Sequence, residues 1–156
     1  MSRGVSITQI DARFLGPNSP LLKLLRRKPR SDHEHEEQAT LFQWIFDNEA
    51  KHPEFRWIFA VPNWIGVRTE KQGGRLKAEG RRPGVPDVLW PVARGEYRGL
   101  AIELKFGKNR PTKEQKEWLN HLREEGWSVH VAWSAEAAKV IIIDYLAGKR
   151  LSSWVA

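Results

Sequence analysis

One stretch constrains this chain more than any other: "GVPDVLWPVARGEYRGLAIELKFG", residues 84–107. Two short apolar runs, "DVLWPV" and "LAIELKF", flank a turn around Arg94-Gly95-Glu96-Tyr97 and read as paired β-strands. Asp87, Glu103 and Lys105 nevertheless stand where apolar residues are expected. Strand side chains alternate between faces. Leu100, Ile102, Leu104 and Phe106 therefore point to the core, and Ala101, Glu103 and Lys105 point the other way. Glu103 and Lys105 lie roughly 6.5–7 Å apart along the strand at their Cα atoms. A hairpin turn centred near Gly95-Glu96 puts Asp87 opposite Leu104, within a residue of both. Two carboxylates and an ammonium are thus expected at one sheet edge.

Carboxylates that close repel unless a cation or a proton sits between them. The chain has no cysteine, and its five histidines show no spacing that compels a metal site. All-oxygen ligation favours a hard cation, Mg²⁺ or Mn²⁺. Such an ion acidifies water and steadies charge on a phosphate, and Lys105 would orient or deprotonate that water. The alternative is a buried Glu103–Lys105 ion pair with Asp87 capping a loop. Spacing alone does not choose between them.

The surrounding pattern predicts an α/β fold. "SDHEHEEQATLFQWIFDNEAKH" has Ser31 or Asp32 as N-cap, acids in its first turn and Leu41, Trp44 and Ile45 at helical spacing. "FRWIFAV" (55–61) reads as a strand ending at Pro62-Asn63. "RPTKEQKEWLNHLREEG" reads as a helix with Thr112 as N-cap and Gly126 as its stop. "SVHVAW" alternates Val129, Val131 and Trp133 as a half-buried strand does. Ser134 caps a last helix with Ala138, Ile141, Ile142 and Tyr145 on its inner face. The order α-β-β-β-α-β-α implies a mixed sheet flanked by helices.

Length of 156 residues fits one domain with appendages. No apolar run reaches the length of a membrane span, and "SPLLKLLRRKPR" is no signal peptide, so a soluble, cytoplasmic protein is expected. The net charge of +7 is unevenly placed: residues 1–30 hold seven Lys/Arg against Asp11, residues 62–86 hold six against Glu70 and Glu79, and the rest is slightly acidic. Two basic segments on an acidic body suggest nucleic acid as the partner; a solubilising tail and a solvated loop are the bland reading. Residues 1–30, with three prolines, read as a basic flexible arm whose Leu21, Leu22, Leu24 and Leu25 dock on the body or on a second subunit. Residues 31–156 are then the domain proper.

"GVPD", fifteen residues, then "ELK", followed by a helix holding Gln115, resembles the Asp, Glu-x-Lys signature of the restriction-endonuclease-like superfamily. More narrowly, the ordered set "EHEEQATLFQW", "HPEF", "VPN", "LKAEGRRPGVPDVLWPV", "YRGLAIELK" and "TKEQKEWLNHLREEGWSV" resembles the VRR-NUC nucleases. The resemblance implies a restriction-endonuclease-like fold and divalent-metal-dependent hydrolysis of DNA, in some members at branched structures. It puts metal ligands on Asp87 and Glu103, adds the Leu104 carbonyl, and makes Lys105 the catalytic lysine. The family also uses an acid of its first helix. Helical register leaves Glu34 and Glu37 both open, and Glu34 is preferred. Trp64 departs from the glycine that many members carry after "PN".

Gln115 has two readings: the partner of Thr112 in a capping box, or the active-site helper that the resemblance implies. Arg68, Lys77 and Arg82 lead from the long basic loop into the site as phosphate contacts. Trp44, Trp118 and Trp133 fit core positions, and Trp64 and Trp90 are candidates for stacking on bases. One site cuts one strand, so a homodimer is expected for cutting two.

Overall fold

A computed structural model of the chain describes residues 32–62 and 78–152, with side chains from residue 35 onward. Helix α1 runs Asp32–Asn48. A 3₁₀ turn, Pro53–Trp57, and strand β1, Phe59–Ala60, follow it. Then come β2 (Val88–Trp90), β3 (Leu100–Leu104), α2 (Lys113–Glu124), β4 (Ser128–Ala132) and α3 (Ala135–Leu146). The sheet order is β1-β2-β3-β4. The first two pairings are antiparallel, and the β3–β4 pairing is parallel with α2 as its crossover. This is the expected mixed α/β order, and all elements but the first residue of α1 lie in one unit, which begins at His33.

Both faces of the sheet are covered. On one face Leu41 and Ile45 of α1 and Ala138, Ile142 and Tyr145 of α3 bury Val88, Trp90, Leu100, Ile102, Leu104 and Ala132. On the other, Leu119 of α2 buries Ala101, Val129 and Val131, with Leu89, Leu122 and Trp127 packed around them. Every residue of β3 and β4 is buried as a result. The half-exposed β4 expected from its alternation is corrected: α2, laid over it by the short crossover, closes its second face.

The "FRWIFAV" strand is also corrected. Pro53 opens a 3₁₀ turn that drives Phe55 inward, 5.5 Å from the Trp44 ring and edge-on to Trp90 at 5.6 Å. Only Phe59 and Ala60 pair as a strand. Trp90 lies at the centre of the core, fully buried, and is not available for stacking on bases. Trp133 is the reverse case: it follows the last residue of β4 and is 42% exposed. Trp118 is half-buried, its indole donating to the Pro83 carbonyl at 3.0 Å. Trp44 packs on the core as expected.

The helix ends follow their caps. Thr112 and Gln115 close a full capping box on α2, and the Ser134 hydroxyl accepts from Ala137 N at 3.1 Å on α3. Asp32 lies inside α1, and Ser31 is outside the described residues.

Candidate active site

The hairpin sets the site's spacing. β2 and β3 pair Val88 with Ile102 and Trp90 with Leu100, and one further step brings Asp87 opposite Glu103. The expected partner was Leu104, one residue further on. Arg94 bridges Tyr97 across the two-residue turn. Between that bridge and the Trp90–Leu100 pair, three residues (91–93) oppose two (98 and 99). This extra residue, beside a proline that cannot donate to the ladder, shifts the count by one. Leu104 still enters the site: its amide N–H donates to Asp87 Oδ2 at 2.8 Å.

Glu103 is fully buried on the α2 face. Its Oε1 accepts from Lys105 Nζ at 2.7 Å and from Gln115 Nε2. Its Oε2 is buried with no hydrogen-bond partner. Burial first, and then the Asp87 carboxylate, push the Glu103 carboxyl up to about 8 against the pull of Lys105. A buried carboxylate without a full set of donors costs free energy. Two donors on one oxygen, none on the other and a second carboxylate alongside leave a position that a proton or a cation completes.

Gln115 closes the cap and also reaches Glu103. Its Oε1 accepts the Thr112 amide N–H at 2.8 Å, which leaves its Nε2 to donate to Glu103. The cap therefore fixes which end of the amide faces the acid. Glu37 goes elsewhere: its Oε2 accepts the Ala135 amide N–H at 2.7 Å at the start of α3. It is not among the charges acting on Glu103. Glu34 lies in α1, with its side chain outside the described residues. Among the described residues no group of three or more His, Cys, Asp or Glu is assembled. The donor set on view is the Asp87–Glu103 pair. Of the expected phosphate contacts, Arg82 is exposed two residues before Gly84, and Arg68 and Lys77 lie outside the described residues.

Gly84 is a site-building residue that the sequence reading missed. It has φ +84°, and a Cβ there would meet the Glu114 carbonyl carbon at 2.5 Å and Gln115 N at 2.8 Å. Only glycine allows this backbone to lie on the first turn of α2. With the Trp118–Pro83 hydrogen bond, the contact holds the segment leading to Asp87 against the helix that carries Gln115. The available signal was a glycine three residues before the acid, between two prolines.

No described helix is long and apolar enough to cross a membrane. No match was found among curated proteins. A solved structure described as a "VRR_NUC domain protein" is similar to this chain with a TM-score of 0.64 and 28% identity, covering 79% of this chain and 97% of its own. The VRR-NUC domain profile matches residues 28–136, the span that holds Asp87, Glu103, Lys105 and Gln115. The chain therefore belongs to the VRR-NUC domain family, a generally nuclease-like family.

Proposed function

We propose that this chain is a divalent-metal-dependent endonuclease that hydrolyses DNA phosphodiester bonds, of the PD-(D/E)XK type, preferring branched or junction-like DNA. The observation that carries the reading is the buried, unpartnered Oε2 of Glu103 beside Asp87 and Lys105. Carboxylate oxygens suit Mg²⁺ or Mn²⁺. Asp87 and Glu103 would hold the ion, with the Leu104 carbonyl and Glu34 completing the ligand set. A cation there supplies positive charge for the phosphate and acidifies water.

The chain's own groups divide the remaining work. The Leu104 amide fixes one Asp87 oxygen. Lys105 and Gln115 fix one Glu103 oxygen and leave the other to bind. Lys105 Nζ, 2.7 Å from Glu103 and partly exposed, would orient the attacking water. Arg82 with Arg68 and Lys77 contacts the phosphate backbone, and a homodimer would present two sites to two strands.

The same Lys105–Glu103 contact favours one rival, a structural ion pair in a nucleic-acid-binding module. Nicking of a plasmid, and cleavage of linear, flapped, forked and four-way DNA with Mg²⁺ or Mn²⁺, separates the two. The wild type cuts and EDTA stops it. Asp87→Ala, Glu103→Ala and Lys105→Ala lose cleavage by on the order of a hundredfold or more while keeping DNA affinity. Equal trace activity in the wild type and Asp87→Ala would overturn the nuclease reading.

A further inference from the structure

Trp133 is out of place for a core tryptophan. It stands immediately after Ala132, which pairs with Leu104 in the parallel ladder, and Lys105 N donates to the Ala132 carbonyl at 2.8 Å. One more step of that register puts Trp133 beside Lys105, on the strand face that carries Glu103. The residue is 42% exposed, yet held: its indole N–H donates to the Asn109 carbonyl at 3.2 Å. Asn109 sits between Lys108 and Arg110, both exposed. Among the described residues neither cation pairs with an acid, whereas Lys105, Lys139, Lys149 and Arg94 all do. An anchored aromatic side chain and two exposed cations without an acid partner among the described residues therefore lie on segments next to the Lys105 end of β3.

We propose that Trp133, Lys108 and Arg110 form a second DNA-contact ledge of this site, with the indole stacking an unpaired base and the two cations holding the phosphates next to it. A fully paired duplex offers no free base face to the ring. Stacking and phosphate contact together suit DNA with a single-stranded segment beside the cleaved bond. The ledge rests on the nuclease reading for its substrate, but it is tested by binding alone.

Binding to a fluorescent duplex bearing a short single-stranded flap, and to the same duplex fully paired, is measured by anisotropy in EDTA across a salt series. The K108A/R110A double variant is expected to lower the slope of log affinity against log salt by about 1.5 to 2. Trp133→Leu keeps apolar bulk without the ring, and is expected to weaken flap binding roughly 5- to 100-fold with little change on the paired duplex. Trp133→Phe recovers most of that loss. An unchanged salt slope in the double variant overturns the ledge, as does an equal loss on both DNAs in Trp133→Leu. If these binding changes appear while the wild type cuts nothing, the nuclease reading fails and the ledge stands. If the wild type cuts and binding is unchanged, the ledge alone fails.

Discussion

The sheet buries a titratable side chain on each face, on neighbouring strands, and treats the two in opposite ways. His130 of β4 faces the large core, with its Nε2 2.7 Å from the Ser128 hydroxyl. Burial holds its imidazole down at about 4, so it is neutral and its contact is closed. Glu103 of β3 faces α2, with one oxygen doubly held and the other without a partner. Burial and Asp87 push its carboxyl up to about 8. A polar pair kept for packing is neutral and complete. Glu103 instead keeps an oxygen open that packing could have filled.

The largest effect should come from the open side. Between about 4.5 and about 8 the folded state holds a proton on Glu103 that the unfolded chain has lost. Stability of the metal-free protein therefore falls as pH rises through that window, by on the order of a few kcal/mol. Glu103→Gln should flatten this limb, and Mg²⁺ or Mn²⁺ should raise the wild-type melting temperature more at pH 8 than at pH 6. Thermal melts across pH check both; a wild-type limb that persists in Glu103→Gln would assign the slope elsewhere.

The closed side should give the opposite slope. His130 has its folded value lowered to about 4 from 6.5, so the unfolded chain binds the extra proton between those values. Stability falls as pH drops through that window, by a somewhat smaller amount. The S128A/H130L pair replaces both partners and should remove the acid limb at little cost near pH 7. Acid titration of stability by circular dichroism reads this directly, and metal should leave the limb unmoved.

Gly84→Ala gives the smallest change and sharpens the comparison. The clash with Glu114 and Gln115 and the positive φ should cost about 1–3 kcal/mol. The damage lies on the Glu103 side alone. Chemical denaturation should show the loss, the metal-induced melting shift should shrink, and the His130 acid limb should keep its midpoint.

These contrasts mark what the chain discloses in one dimension. Strand alternation separates Glu103 from Ile102, and cap signals locate α2 and α3, because both depend on residues close in sequence. The Asp87–Glu103 register depends on an extra residue in the arm of the hairpin, which no count from the turn detects. Phe55 turns inward because its partners, Trp44 and Trp90, lie far away along the chain. Gln115 reads as cap or as site helper, and only three-dimensional placement shows that one end of its amide meets Thr112 and the other Glu103. Glu37 lies near the inner face of α1 by register, but the amide it caps belongs to α3, 98 residues on.

The Trp118 indole has a consequence of its own. Its N–H proton resonates apart from the amides, and it ends on the Pro83 carbonyl, four residues before Asp87. Any motion that lifts the Asp87 segment from α2 must break or bend that hydrogen bond, and its chemical shift will move with it. The molecule thus carries a built-in spectroscopic gauge of whether the Asp87 segment and the helix that holds Gln115 are joined, readable in solution without a substrate and without a label.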